Sequence, residues 1–231
     1  MSTAARFAIL EPGATLVHVP GVCADPYFNA AADQELVWLP SKGMGYLPVN
    51  ESPYDADYWQ KYVGYAATEQ GRRITAARCA LVDKYMGPHE TLIDVGIGCG
   101  DFIDSCKQQA LGFDINPVAV KWLETRGIFA DPYRHAVHAL TFWDAIEHVP
   151  DAHRMLANAK RWAFASLPIV PGDGPPPRDW KHLRPDEHCW YWTRRGFISW
   201  MSAQGFECVE CHAGETLLGR DDIETFVMRR R

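Results

Sequence analysis

The chain has 231 residues, enough for one sizeable hydrophobic core, and its 47% hydrophobic and 23% charged content is ordinary for a globular protein. A formal charge of −6 gives no global basic footprint for nucleic acid, and no apolar run is long enough to cross a bilayer. The opening "MSTAARFAILEPGATL" lacks the apolar core of a secretory signal, and the seven cysteines are odd in number and scattered, so the expectation is reduced thiols in a cytoplasmic protein.

Residues 1–50 are rich in Pro and Gly, with short apolar runs such as "ATLVHV" and "ELVWLP", and are read as an irregular N-terminal extension. Residues 51–231 are read as a single domain. A helical period begins in "SPYDADYWQKYVGYAATEQ", with Ser52 or Asp55 as its cap. Tyr58, Trp59, Tyr62 and Tyr65 lie along this helix, either as one side of a packed core or as part of a lid. Ile74, Ala77, Leu81, Val82 and Tyr85 then form a stripe at helical spacing that Gly87-Pro88 closes.

From there the pattern alternates. "TLIDVG" is a strand and "DFIDSCKQQ" a short helix. "ALGFDI" is a strand, and "PVAVKWLETRG" a helix opened by proline and closed by glycine. "IFA" and "HALTFWDA" are strands, "AHRMLANAKRW" a helix and "AFASLPI" a strand. A Pro/Gly stretch leads into the segment 168–193, read as a substrate loop. "TRRGFISWMSAQG" is a helix capped by Thr193, and "FECVECH" with "IETFVMRR" a closing pair of strands. "CVECH" also matches the spacing for covalent haem attachment, but its alternation points Cys208 and Cys211 to opposite faces of a strand, which is the reading adopted. Strands alternating with helices predict a doubly wound parallel sheet, with the glycine turn of "LIDVGIGCGDF" at the carboxyl edge of its first strand.

The glycine spacing discriminates between ligands. A dinucleotide fingerprint wants a third glycine where Asp101 stands, which argues against a nicotinamide dehydrogenase, and no Gly-Lys-Ser/Thr follows to make a Walker loop. Asp94, just before the glycines, would repel a pyrophosphate and attract an ammonium group.

"IDVGIGCG" resembles the first motif of class I S-adenosylmethionine-dependent methyltransferases. The resemblance implies a Rossmann-like, mostly parallel seven-stranded sheet in the order 3-2-1-4-5-7-6. It also implies that Gly96, Gly98 and Gly100 pass under the amino-acid and ribose part of the cofactor, with Asp94 beside the methionine portion. In "LGFDINP", Asp114 matches the ribose-binding carboxylate and Ile115 would flank the adenine. "FADPY" resembles the third motif, with Asp131 toward the adenine amino group, and "LTFWDAIEHVPD" the fourth, with Trp143 and Asp144 as cofactor contacts. The resemblance covers residues 90–168 well and 193–231 in outline.

Methyl transfer from a sulfonium is activated by the cofactor itself, so the protein mainly aligns the reactants. A base is needed only where the acceptor must lose a proton early, and His148 is the first candidate. The stretch "WKHLRPDEHCWYWT" adds His182 and His188 in a segment that is not expected to be a sheet interior. His182, Glu187 and His188 could make a metal site with Glu147 or His148; the reading adopted has no metal, these groups tying the loop down by hydrogen bonds. The function expected is methyl transfer to an oxygen or nitrogen of a small molecule. The alternatives are a nucleotide or nucleic-acid acceptor, opposed by the acidic charge and the missing Pro-Cys and Asn-Pro-Pro motifs, and a non-catalytic cofactor-binding partner subunit.

Overall fold

A computed structural model describes residues 13–19, 34–48 and 54–231. Ser52 lies outside the described residues. The chain gathers into two compact units, each assembled from three stretches: Met1–Pro53, Glu147–Pro150 and Pro168–Ala203 in the smaller, and Tyr54–Ile146, Asp151–Leu167 and Gln204–Arg231 in the larger. This differs from the sequence reading, which set residues 1–50 apart as irregular and kept the rest together.

The smaller unit is built on a four-stranded sheet. Strands β1 (Thr15–Val19), β2 (Gln34–Leu39) and β3 (Met44–Tyr46) form an antiparallel meander, and β8 (Trp190–Trp192) pairs antiparallel with β3. The expectation that 180–193 is all loop is corrected here. The run Trp190-Tyr191-Trp192 is fully buried, and its backbone groups are satisfied by Met44–Tyr46 and by a parallel bridge from Trp192 to Ile169. Val19, Leu36, Trp38, Leu47, Val170, Trp180 and Tyr191 make the core of this unit. Helix α6 (Arg194–Ala203) starts at Thr193, whose Oγ1 accepts from the Gly196 amide at 3.0 Å, as a capping threonine should.

The larger unit holds a six-stranded sheet in the order β5-β4-β6-β7-β10-β9. Its strands are β4 (Thr91–Val95), β5 (Gln109–Phe113), β6 (Val137–Trp143), β7 (Ala159–Pro168), β9 (Phe206–His212) and β10 (Ile223–Arg230). The pairs β4–β5, β4–β6 and β6–β7 are parallel, whereas β9–β10 is antiparallel. The strand expected at "IFA" is reduced to one parallel bridge, Gly112 to Phe129, so six of the seven expected strands are present. "FECVECH" is the outer strand β9.

The helix expected over "AHRMLANAKRW" is cut short. Helix α5 spans only Ala152–Leu156, and the chain turns at Asn158 into β7. The Arg230 guanidinium takes the Leu156 carbonyl and, at 2.6 Å, the Ala159 carbonyl, while Ala159 pairs with Val137 of β6. Parallel pairing thus overrides the helix propensity of Ala, Lys and Arg.

Helices α1 (Ala56–Ala66) and α2 (Glu69–Tyr85) precede the sheet, capped by Asp55 and Thr68. Ile74, Leu81 and Val82 are buried as the stripe predicts, but Ala77 is exposed. Helices α3 (Asp101–Ser105), α4 (Pro117–Thr125) and α7 (Gly214–Leu217) complete the unit.

Candidate active site

Strand β4 is buried along Leu92–Val95, the apolar signature of a central parallel strand, yet it carries Asp94 at 1% exposure. Its cross-strand neighbour Thr141 on β6 donates to Asp94 Oδ1 at 2.6 Å. Burial pushes the Asp94 carboxyl up to about 8, against the pull of Thr141 and Arg78.

After Val95 the backbone enters the left-handed region at Gly96, Gly98 and Gly100 (φ +74°, +57° and +84°). Two of these positions have a second reason to be glycine. A Cβ on Gly100 would sit 2.5 Å from Trp122 of α4, and one on Gly98 would press at 3.3 Å on the ring of Tyr62. Tyr62 belongs to a ladder on α1, in ring contact with Tyr58, which in turn meets Tyr54. Trp59, by contrast, packs with Ile97, Ile103, Ala119 and Leu123 in the core. The aromatics of α1 thus divide between core and glycine turn.

Strand β5 ends one residue before Asp114. Its Oδ1 accepts from the Asn116 amide at 2.8 Å, and Asn116 caps α4 through Val118. Burial raises the Asp114 carboxyl to about 6, while amides of Asn116, Ile115 and Ile97 restrain the rise. Ile115 is 67% exposed, a large apolar side chain left in solvent beside the half-buried Asp114 carboxylate. Asp131 follows the Phe129 bridge, its Oδ1 accepting from the Tyr133 amide at 2.9 Å.

Trp143 and Asp144 are differently employed. The Trp143 ring is buried edge-on to Phe102, with the Arg78 guanidinium above it. Asp144 (φ +56°) is held by Arg220 and Arg78 in a half-buried four-member ion cluster closed by the buried Glu215. Burial works against ionisation there, but Arg220 and Arg78 outweigh it and hold the Asp144 carboxyl well below the usual range. Neither Arg78, Arg220 nor Glu215 stood out in the sequence, because the cluster joins residues more than sixty positions apart. Thr141 was discoverable, as the polar residue inside the otherwise apolar run Ala139–Trp143.

The three candidate histidines fall in the smaller unit. His148 and His188 meet edge to face with ring centroids 4.6 Å apart. His148 Nδ1 lies 2.8 Å from the Glu187 carbonyl, and His188 Nδ1 lies 3.1 Å from the His182 carbonyl. The His182 ring itself packs edge-on to Trp180. The loop is tied by further bonds, from the Cys189 amide to the Glu147 carbonyl and from Trp190 Nε1 to the Val149 carbonyl. The same fold brings the Glu147 carboxylate and the His148 and His188 rings within 4.8 Å of one another.

Residues 65–211 match a family model described as a methyltransferase domain, and the chain belongs to that family, the class I S-adenosylmethionine-dependent methyltransferases. The fold is similar to magnesium protoporphyrin IX methyltransferase from Synechocystis PCC 6803, at 12% identity and a TM-score of 0.52 over 76% of this chain and 94% of that one. It is also similar to a SAM-dependent methyltransferase from Archaeoglobus fulgidus, at 13% identity and a TM-score of 0.53 over 75% of this chain and 99% of that one. A third likeness is to geranyl diphosphate C-methyltransferase from Streptomyces coelicolor A3(2), at 14% identity and a TM-score of 0.50 over 81% and 92%. No curated protein matches the chain in sequence. Among the described residues, no helix is long and apolar enough to cross a membrane.

Proposed function

We propose that this methyltransferase moves the methyl group of S-adenosylmethionine to an oxygen or nitrogen of a small-molecule acceptor. The observation that carries the cofactor half is the left-handed glycine turn between buried Asp94 and α3, beside the Asp114 carboxylate. Asp94 takes the role of receiving the methionine ammonium, and Gly96, Gly98 and Gly100 let the backbone approach the cofactor. Asp114 accepts both ribose hydroxyls, which needs the two oxygens of an ionised carboxylate. Ile115, exposed and apolar, offers one wall for adenine, and Asp131 faces the adenine amino group in this reading. Trp143 and Asp144 act beneath this surface, as core and as an ion-paired support.

On the acceptor side, His148, His182 and His188 are the polar groups of the reading. Burial lowers the His188 pKa well below 6.5, which makes its imidazole neutral and a weak base. The sulfonium supplies the driving force, so a strong base is not required. The Synechocystis and Streptomyces proteins are named for a porphyrin and a prenyl diphosphate acceptor, in agreement with a small-molecule acceptor.

Calorimetric titration with S-adenosylmethionine, S-adenosylhomocysteine and NAD tests the reading. Micromolar binding of the first two is expected, weakened about a hundredfold or more in Asp114→Ala, since two charge-assisted hydrogen bonds are lost at about 1.5 kcal/mol or more each. Binding of NAD in place of both would sink it.

A further inference from the structure

We propose that Glu147, His148 and His188 form a binding site for a single divalent transition-metal ion in the smaller unit. The three side chains come from two separate stretches of that unit, one directly after β6 and one directly before β8. Each offers a ligand atom, and these atoms lie within 4.8 Å of one another.

The hydrogen bonds around the histidines say which ring nitrogens keep a lone pair for an ion. A backbone carbonyl only accepts, so each imidazole must carry its proton on Nδ1, His148 toward the Glu187 carbonyl and His188 toward the His182 carbonyl. That fixes both rings in the tautomer whose Nε2 holds the lone pair. A carbonyl behind the far ring nitrogen is the usual outer support of a metal-bound histidine, setting tautomer and ring orientation before the ion arrives. Two such supports on adjacent rings are more than a loop needs in order to be held, since the Cys189 amide and the Trp190 indole already pin the same segment to Glu147 and Val149.

The donor set selects the ion. Two imidazole nitrogens and one carboxylate suit Zn²⁺, Co²⁺, Ni²⁺ or Fe²⁺, whereas Mg²⁺ and Ca²⁺ prefer all-oxygen sites. Glu147 and His188 are 2% and 4% exposed, so the ion would be shielded from bulk water on two sides. With metal–nitrogen bonds of about 2.0–2.1 Å the ligand atoms close to roughly 3.4 Å apart, a contraction that side-chain rotation can supply. Arg184, whose charge acts on His188, weighs against the site. Its guanidinium is bonded to Glu187 Oε1 at 2.5 Å, which offsets its charge. Three protein ligands leave at least one position open to water or to an oxygen or nitrogen donor.

The test uses the untagged full chain, freed of metal by chelator and titrated with Co²⁺. One equivalent should bind, giving the visible absorption of a low-symmetry Co²⁺ site, raising the thermal midpoint, and being displaced by Zn²⁺. His148→Asn, His188→Asn and the isosteric Glu147→Gln should each weaken binding at least tenfold. X-ray absorption of the Zn²⁺-loaded wild type should count two imidazoles, oxygen ligands and no sulfur; this reading does not depend on any variant folding. A wild type without the Co²⁺ band, a zinc shell with sulfur or fewer than two imidazoles, or folded variants that bind as tightly as wild type would each overturn the site. Because none of these readouts uses methyl transfer, failure here leaves the proposed activity intact, and failure of that activity leaves the site testable.

Discussion

The two units differ in how their functional residues are written into the chain. In the larger, Asp94, Gly96, Gly98 and Gly100 fall within seven consecutive positions and Asp114 follows the end of the next strand. In the smaller, Gly43 accepts from Thr193 across 150 positions and His148 meets His188 forty residues on. The first arrangement is a local conformational demand, met by residue type alone. The second is a tertiary demand, met only once distant segments have paired. A turn of the local kind can be read from the sequence, whereas a cluster of the long-range kind is read only from the fold.

The sharpest way to break this comparison is to damage each unit alone. Arg78→Met leaves Asp144 and Glu215 sharing Arg220 in a half-buried setting. It should cost about 3–5 kcal/mol in urea unfolding of the larger unit, with loss of cofactor affinity. Asp144 has its folded pKa depressed, so its stabilisation is present above its unfolded pKa and is lost as pH falls. The variant should therefore show a shallower loss of stability below about pH 4.

Gly196→Ala is the matching damage to the smaller unit. Its Cβ would lie 1.9 Å from the Gly43 carbonyl oxygen, which forces β3 and α6 apart. A loss of about 3 kcal/mol is expected from tryptophan fluorescence during unfolding. Cofactor affinity should stay within about twofold if the units serve separate tasks; a tenfold fall would erase the distinction.

A smaller effect sharpens the larger unit's chemistry. Asp94 has its pKa raised, so its contribution to stability is complete below the unfolded value and is lost as pH rises through about 8. Without cofactor the protein should lose stability over that window, and Asp94→Asn should flatten the trend. Cofactor binding needs the ionised form, so affinity should climb with pH below about 8, by at most about tenfold per unit. Binding heats that do not vary with the buffer's ionisation enthalpy would remove this proton linkage.

The mildest change is Asp55→Ala, which removes the cap accepting from Tyr58 at 2.9 Å. About 1 kcal/mol should be lost, and the cofactor affinity should fall a few-fold as the Tyr58–Tyr62 ladder loosens over Gly98. Thermal melts and the same titration would read both.

Legibility followed the same division. The alternation after residue 90, the cap at Thr193 and the turn glycines were readable because each depends on neighbours within a few positions. The strand at Trp190–Trp192 was not, because its partner is Met44–Tyr46 and its aromatic run suits a loop floor equally well. The motif assigns Trp143 and Asp144 to the cofactor, and it does not reveal that Phe102, Arg78 and Arg220 also contact them, since those partners lie on elements whose packing no spacing shows. The histidine cluster was half visible: its residue types suggested metal chemistry, and only the fold chose Glu147, His148 and His188 from among them.

The pairing of β3 with β8 also has a cost in time. A ribosome adds about 5–20 residues each second, so Met44–Tyr46 is made roughly 7–30 s before Trp190–Trp192. Through that interval the buried face of the first three strands has no fourth strand beside it, and its unpaired edge is open to any extended segment nearby. Chaperone demand during synthesis should thus fall on the first fifty residues rather than on the cofactor-binding half, whose parallel core closes within a much shorter span of chain.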